Sequence, residues 1–234
     1  VDMQAIKPDF TLSPVLLPED IDAGFFSISG NRGFEAERVN AFELGYRYRA
    51  GSSFFADLAT FYNVYSNLRS AVPDAASVET SGSATYLLVP LLLGNETDGE
   101  TYGLELAVKQ QVSDWWLLQA GYTYLQMDLH GPLADLEEGS VPHHQLRLDS
   151  GMDPAPRWSL DGHARYVDEL SFQDVDAYVD LDIRLGYQVS EQLDVSLVGN
   201  NLLDNRHAEF KSVEVFSLPT EIERNVHGVC RWRW

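Results

Sequence analysis

From Val39 to the end of the chain, apolar and polar side chains alternate with a period of two. That period commits the backbone to extended strands with one greasy and one polar face, because successive side chains of a strand point to opposite sides. The segment VNAFELGYRYR places Phe42, Leu44, Tyr46 and Tyr48 opposite Glu43, Gly45, Arg47 and Arg49. After a turn at Ala50–Ser52, Ala56, Leu58, Thr60 and Tyr62 oppose Asp57 and Asn63, with Phe55 and Phe61 blurring the contrast. Leu104, Leu106 and Val108 oppose Glu105 and Lys109; Trp116, Leu118, Ala120, Tyr122 and Tyr124 oppose Gln119, Gly121 and Thr123. Further on, Leu146 and Leu148 oppose Arg147 and Asp149, and Trp158, Leu160, Ala164 and Tyr166 oppose Ser159, Asp161, His163 and Arg165. Val179, Leu181, Ile183, Leu185 and Tyr187 oppose Asp180, Asp182 and Arg184, and Val226, Cys230, Trp232 and Trp234 close the pattern. The expectation is an all-β, antiparallel fold of about ten strands, each long enough to cross a bilayer at a tilt.

The connections alternate as well. Short turns are expected at Ala50–Ser52, Gln111–Asp114, Met152–Pro156 and Val189–Gln192, and long loops at Asn67–Ser83, Met127–Pro142, Leu170–Ala177 and Asp204–Thr220. Short turns on one side and long loops on the other are the plan of an outer-membrane barrel, periplasmic below and extracellular above. A hairpin from Ala84 to Lys109, turning at Gly94–Gly99, fits the same order. Residues 1–38, with their prolines and glycines, read as a strand end and one long external loop, and residues 39–234 as successive hairpins.

Bulk properties exclude other classes. The net charge of −20, from 36 acidic and 16 basic residues, repels nucleic acid. An aromatic content of 12% argues against disorder. No apolar run reaches the length of a transmembrane helix, and the opening VDMQAIKPDF has neither the basic nor the apolar region of a signal peptide. Cys230 is the single cysteine, so no disulfide forms within the chain. A soluble β-sandwich also alternates. Two features favour a membrane barrel: charges at mid-strand on the polar face, and aromatics gathered at strand ends, where an interfacial girdle sits.

Several strings, in order, resemble the TonB-dependent outer-membrane receptor family. They are GNRGFEAERVNAFELGYRYR, then SFFADLATFYNVYSNLR, then NETDGETYGLELAVKQQVSDWWLLQAGYTYLQ, and finally YVDLDIRLGYQVSEQLDVSLVGNNLLDNRHAEF. The resemblance covers nearly the whole chain. It implies the C-terminal part of a larger plugged barrel, with the plug and the TonB-contacting segment outside residues 1–234. It implies uptake of a scarce ligand such as a ferric siderophore, haem or cobalamin, driven by TonB with ExbB and ExbD. It further implies the barrel assembly machinery, lipopolysaccharide and phospholipid as partners, and the terminal aromatics Trp232 and Trp234 as an assembly signal. A passive porin-like channel and a soluble β-sandwich binding module are the competing readings.

No catalytic spacing is present: no G-x-S-x-G, P-loop, H-E-x-x-H or zinc pattern. The chain reads as a non-enzyme without a cofactor or a dedicated metal site. His143 and His144 are adjacent and point to opposite faces, so a shared metal is disfavoured. His130 and His207 fall on or beside outer loops. The acidic groups Asp135, Glu137, Glu138, Asp174 and Asp176 read as solvated loop carboxylates that meet divalent cations at the lipopolysaccharide surface. Asn200, Asn201, Leu202 and Asp204 read as a turn anchor. The candidate lumen-facing charges are Glu105, Lys109, Arg147, Asp161, Arg165, Asp182 and Arg184, expected to form cross-strand ion networks, some of them against the plug.

Overall fold

The computed structural model describes residues 23–132, 134–211 and 220–234. In chain order these form β1 (Ala23–Ser29), β2 (Arg38–Ala50), β3 (Phe54–Pro73), β4 (Ser77–Ser81), β5 (Ala84–Ser113) and β6 (Trp116–His130). A single helical turn α1 (Ala134–Glu138) precedes β7 (His144–Ala155), β8 (Trp158–Val167), β9 (Tyr178–Gln188) and β10 (Leu193–Asn200). Short strands β11 (Arg206–Ala208) and β12 (Glu221–Glu223) come before β13 (Asn225–Trp232). Nine strands pair antiparallel in the order β13-β10-β9-β8-β7-β6-β5-β3-β2, with β1 and β4 attached to β5.

Register makes each face continuous. Tyr46, Leu58, Leu106, Tyr122, Leu146, Tyr166 and Val179 form one row across seven strands. One residue along, Arg47, Asp57, Ala107, Gly121, Arg147, Arg165 and Asp180 form the matching row on the opposite face. The apolar face carries no protein layer: Leu44 is 75% and Tyr46 65% exposed. Among the described residues the buried hydrophobic side chains are Ala134, Leu170 and Val175, none of them in the nine-stranded sheet. A sandwich would bury this face against a second sheet. Here it faces outward.

Aromatic side chains form two bands on that face. Tyr48, Phe54, Trp116, Trp158, Tyr187 and Trp232 lie toward the short turns, and Phe42, Tyr62, Tyr102, Tyr124 and Tyr166 toward the long connections. The lower band crosses the ladder obliquely. The row of Tyr48 runs through Ala56, Val108, Ala120, Leu148 and Ala164 to Leu181, six residues short of Tyr187. Six residues are ~20 Å along a strand and six strand steps ~29 Å across, so the strands tilt ~35° from the normal of the band. The eight residue steps from Trp116 to Tyr124 then span ~22 Å of height, close to the ~25 Å apolar belt of a membrane barrel.

Four details depart from the sequence expectations. Residues Asn67–Ser83 are not a loop: β3 continues to Pro73 and β4 follows. Gly94–Gly99 is not a turn, because β5 runs unbroken for 30 residues. The turn-forming residues are absorbed by an irregularity, with register shifts between Tyr65 and Leu68 and between Leu68 and Ser70. Asn67 takes a left-handed φ of 58°, and Asn95 Nδ2 donates to the carbonyls of Asn67 (2.7 Å) and Glu35 (3.0 Å). Third, β1 pairs in parallel with Tyr86–Leu92 of β5, so residues 23–29 are strand and not external loop. The part of that expected loop at residues 1–22 lies outside the described residues, as does 212–219 of the last long connection. The turn after β7 is tighter than expected, with Arg157 at φ 72°.

Candidate functional site: the concave polar face

The polar face lines the hollows of the sheet. One concavity of about 570 Å³ is bordered by Arg47, Asp57, Glu105, Gln145, Arg147 and Arg165, residues spread from β2 to β8. A second, of about 420 Å³, includes Gln119, Asp149, Asp161, His163, Asp182 and Arg184. A single hollow reaching from β2 to β8 requires the sheet to curl toward its polar side.

Period two puts all seven sequence-selected charges on this face, and their neighbours divide them. Arg184 Nη1 donates to Asp161 Oδ2 (2.8 Å) and Ser159 Oγ (3.2 Å), a cross-strand pair of two selected residues. Arg147 forks onto Asp149 of its own strand (2.7 and 3.2 Å), and Asp149 also meets His163 Nδ1 of β8 at 2.6 Å. Arg165 bonds Glu209, lies 3.7 Å from Asp180, and sets its guanidinium over the Tyr178 ring at 5.3 Å. Among the described residues Asp182 has no ion-pair partner; it accepts the backbone N–H of Asn201 at 3.0 Å. Glu105 and Lys109 have no ion-pair partner among the described residues. Paired carboxylates and guanidinium groups keep a wet face charged at modest cost, each half-exposed pair contributing roughly 0.2–1 kcal/mol.

Sequence reasoning missed Asp149, Asp180, His163 and Glu209 as partners. The first three share strand parity with the selected arginines, which was readable, but which strand faces which was not. Glu209 lies after β10 and reaches Arg165 only because that segment folds back over the polar face. There His207, 7% exposed at its side chain, stacks on Tyr178 with ring centroids 4.3 Å apart.

The remaining candidates sort by contact. His143 Nδ1 meets the Leu125 carbonyl at 3.0 Å, while His144 lies against Tyr122 and Tyr124 with Nδ1 2.9 Å from the Tyr122 hydroxyl. His130, on an exposed strand end, is 3.7 Å from Asp128. Glu138 of α1 accepts the Leu129 N–H. Asp174, in the β8–β9 loop, receives Lys211 Nζ at 2.6 Å; that hydrogen bond and the ammonium charge hold its carboxyl below the usual carboxylate range. Among the described residues no three His, Cys, Asp or Glu side chains are grouped to hold a metal. Asn201, fully buried at φ 49°, donates Nδ2 to the Ile222 carbonyl at 3.0 Å, which fits a turn anchor. Trp232 pairs opposite Leu193 at the edge of the sheet, Arg233 clamps Asp194 at 2.7 Å, and Trp234 is fully exposed.

Comparison with known proteins places this architecture. A family model described as "TonB dependent receptor-like, beta-barrel" matches residues 10–202. A probable TonB-dependent siderophore receptor PiuA of Acinetobacter baumannii is 23% identical over 199 residues, covering 76% of this chain and 25% of that protein. The chain therefore spans about a quarter of that curated relative. The solved siderophore receptor PirA of Acinetobacter baumannii superposes with a TM-score of 0.64 at 15% identity, over 89% of this chain and 33% of that one. The ferric enterobactin receptor PfeA of Pseudomonas aeruginosa, in complex with BCV-L6, gives 0.61 at 17% identity, over 89% and 33%. An outward apolar face between aromatic bands, tilted strands and short turns opposite long connections agree with that match, and the chain belongs to the TonB-dependent receptor family as part of its outer-membrane β-barrel.

Proposed function

We propose that this chain is wall and outer vestibule of a receptor that takes up a ferric siderophore across the outer membrane, with energy delivered by TonB, ExbB and ExbD. The observation that carries the reading is the curled polar face, lined with paired charges, on a sheet that superposes on solved siderophore receptors over most of its length. A receptor of a bulky polar chelate needs a wet, charged wall inside and an apolar one outside, and the two register rows supply both.

In this reading Glu105, Lys109, Arg147, Asp161, Arg165, Asp182 and Arg184 face the lumen. Glu105 and Lys109, without ion-pair partners among the described residues, are the ones left to meet another part of the receptor or its cargo. Trp232, on β13, and Trp234, just past it, are the aromatics that the barrel assembly machinery would read. Lipopolysaccharide and phospholipid contact the aromatic bands.

The test is uptake of radiolabelled ferric siderophores by cells carrying the full-length receptor, with and without TonB. Uptake that depends on both receptor and TonB is expected. Receptor-dependent uptake that persists without TonB would instead identify a passive channel.

A further inference from the structure

The apolar side chains that this chain buries lie in its connections. Among the described residues they are Ala134 of α1 and Leu170 and Val175 of the β8–β9 loop, all at the long-connection end. Side chains withdrawn from water there mark the connections as packed segments and not as free-standing loops.

Contacts run from one connection to the next without a gap. At the β5 side, Thr97, 4% exposed, donates its hydroxyl to the Pro132 carbonyl at 3.2 Å. Beside it Gly131 takes a φ of 145°, and a Cβ there would lie 2.5 Å from the carbonyl oxygen of Glu96. Glycine is what lets the two backbones approach this closely. Glu138 of α1 then accepts the N–H of Leu129, which ties the β6–β7 connection back to its own strand.

The next link is backbone on backbone. The Phe172 N–H donates to the Gly139 carbonyl at 2.9 Å, and a Cβ on Gly139 would lie 2.7 Å from Cβ of Phe172 and 2.9 Å from its nitrogen. The β8–β9 loop that carries Phe172 is itself closed, because Leu170 and Val175 exchange both backbone hydrogen bonds, at 2.9 and 3.2 Å. Its other side holds the segment after β10. Lys211 Nζ donates to the carbonyl (2.7 Å) and the carboxylate (2.6 Å) of Asp174, and the Lys211 N–H meets the side-chain oxygen of buried Gln173 at 3.4 Å. Glu209 on Arg165 and His207 stacked on Tyr178 seat that segment on the sheet.

Each link joins a different pair of neighbours, and the links at Gly131 and Gly139 leave no room for a side chain. Close-packed contacts of this kind pass a displacement on instead of absorbing it. We propose that the β6–β7 connection, the β8–β9 loop and the segment Arg206–Lys211 form one rim over the outer end of the concave face, a leaf that shifts as a unit and not as separate flaps. Whatever displaces one part displaces the others. The rim's mechanics do not depend on which ligand is carried.

Electron spin–spin distances in the full-length receptor in lipid vesicles test it. A label at Val189→Cys, in the short turn after β9, is the fixed reference, in a Cys230→Ser background. The second label is placed either at Glu137→Cys on α1 or at Phe210→Cys on the segment after β10, both exposed positions. Without further substitution both distance distributions should be narrow. Gly139→Ala adds the methyl that meets Phe172, and it should broaden the distribution to the Phe210 label roughly twofold, although that label is two links away. Lys211→Ala cuts the last link and should broaden the distribution to the Glu137 label by a similar factor, because coupling between two parts is reciprocal. Local damage alone would leave each distant label as it was. A distribution to Phe210 unchanged in Gly139→Ala, one to Glu137 unchanged in Lys211→Ala, or broad distributions before either substitution would overturn the single rim.

Discussion

Gly103 shows how tightly single positions are set. A Cβ there would lie 2.1 Å from the Tyr124 carbonyl oxygen and 2.7 Å from Cζ of Phe61. The Phe61 ring thus closes over a bare stretch of β5 on the polar face, which is why an aromatic sits where period two expects a polar residue. Gly103→Val should destabilise the folded full-length receptor by about 2 kcal/mol or more, since the clash is partly with backbone. Urea unfolding in detergent measures it; a change under half a unit of that size would mean the strands have room to part. Asp174 gives a residue-scale pH prediction. Lys211 lowers its carboxyl pKa, so the contact is complete throughout and above the ordinary carboxylate range and is lost only as the pH falls below it. The Asp174 carboxyl resonance in a labelled receptor should therefore titrate below that range, and in Lys211→Ala should return to it. Parity made the polar face readable from sequence residue by residue; the partner of each charge was not, because a pair such as Arg184 and Asp161 is created by register between strands.

At the scale of elements, the strands from β6 to β10 were legible because each alternates cleanly and they are joined by short turns and long polar connections in turn. β5 was not. Its Gly94, Asn95 and Gly99 carry the composition of a turn, and only the pairing with β3 shows that a bulge, and not a reversal, uses them. The short strand β11 was equally hidden, since three residues give no period and its place is set by the tertiary contacts of His207 and Glu209. β13 carries an element-scale prediction. If Trp232 and Trp234 are the terminal signal, removing both aromatic rings (Trp232→Ala with Trp234→Ala) should cut the folded receptor in the outer membrane several-fold, while Trp115→Ala, at the β5–β6 turn, should leave it nearly unchanged. Surface-exposed receptor counted by antibody in intact cells separates the two; equal loss in both would leave the terminal position without a special role.

For the whole molecule, the claim that joins the observations is that one face of the sheet meets lipid and the other water. Tilt, aromatic bands and the exposed row through Tyr46, Leu146 and Val179 all follow from it. Leu148→Arg, in the apolar row, should cost about 2–4 kcal/mol in the membrane, while Thr123→Arg on the concave face should cost far less. The most direct measurement is a scan of single spin labels along β7 and β9 of the full-length receptor in lipid vesicles, reading collisions with oxygen and with a water-soluble nickel chelate. Labels at Leu146, Leu148, Ile183 and Leu185 should collide with oxygen, and labels at Arg147, Asp149, Asp182 and Arg184 with the chelate, in strict alternation. Chelate access at the first set, or no alternation along either strand, would contradict the assignment of the two faces.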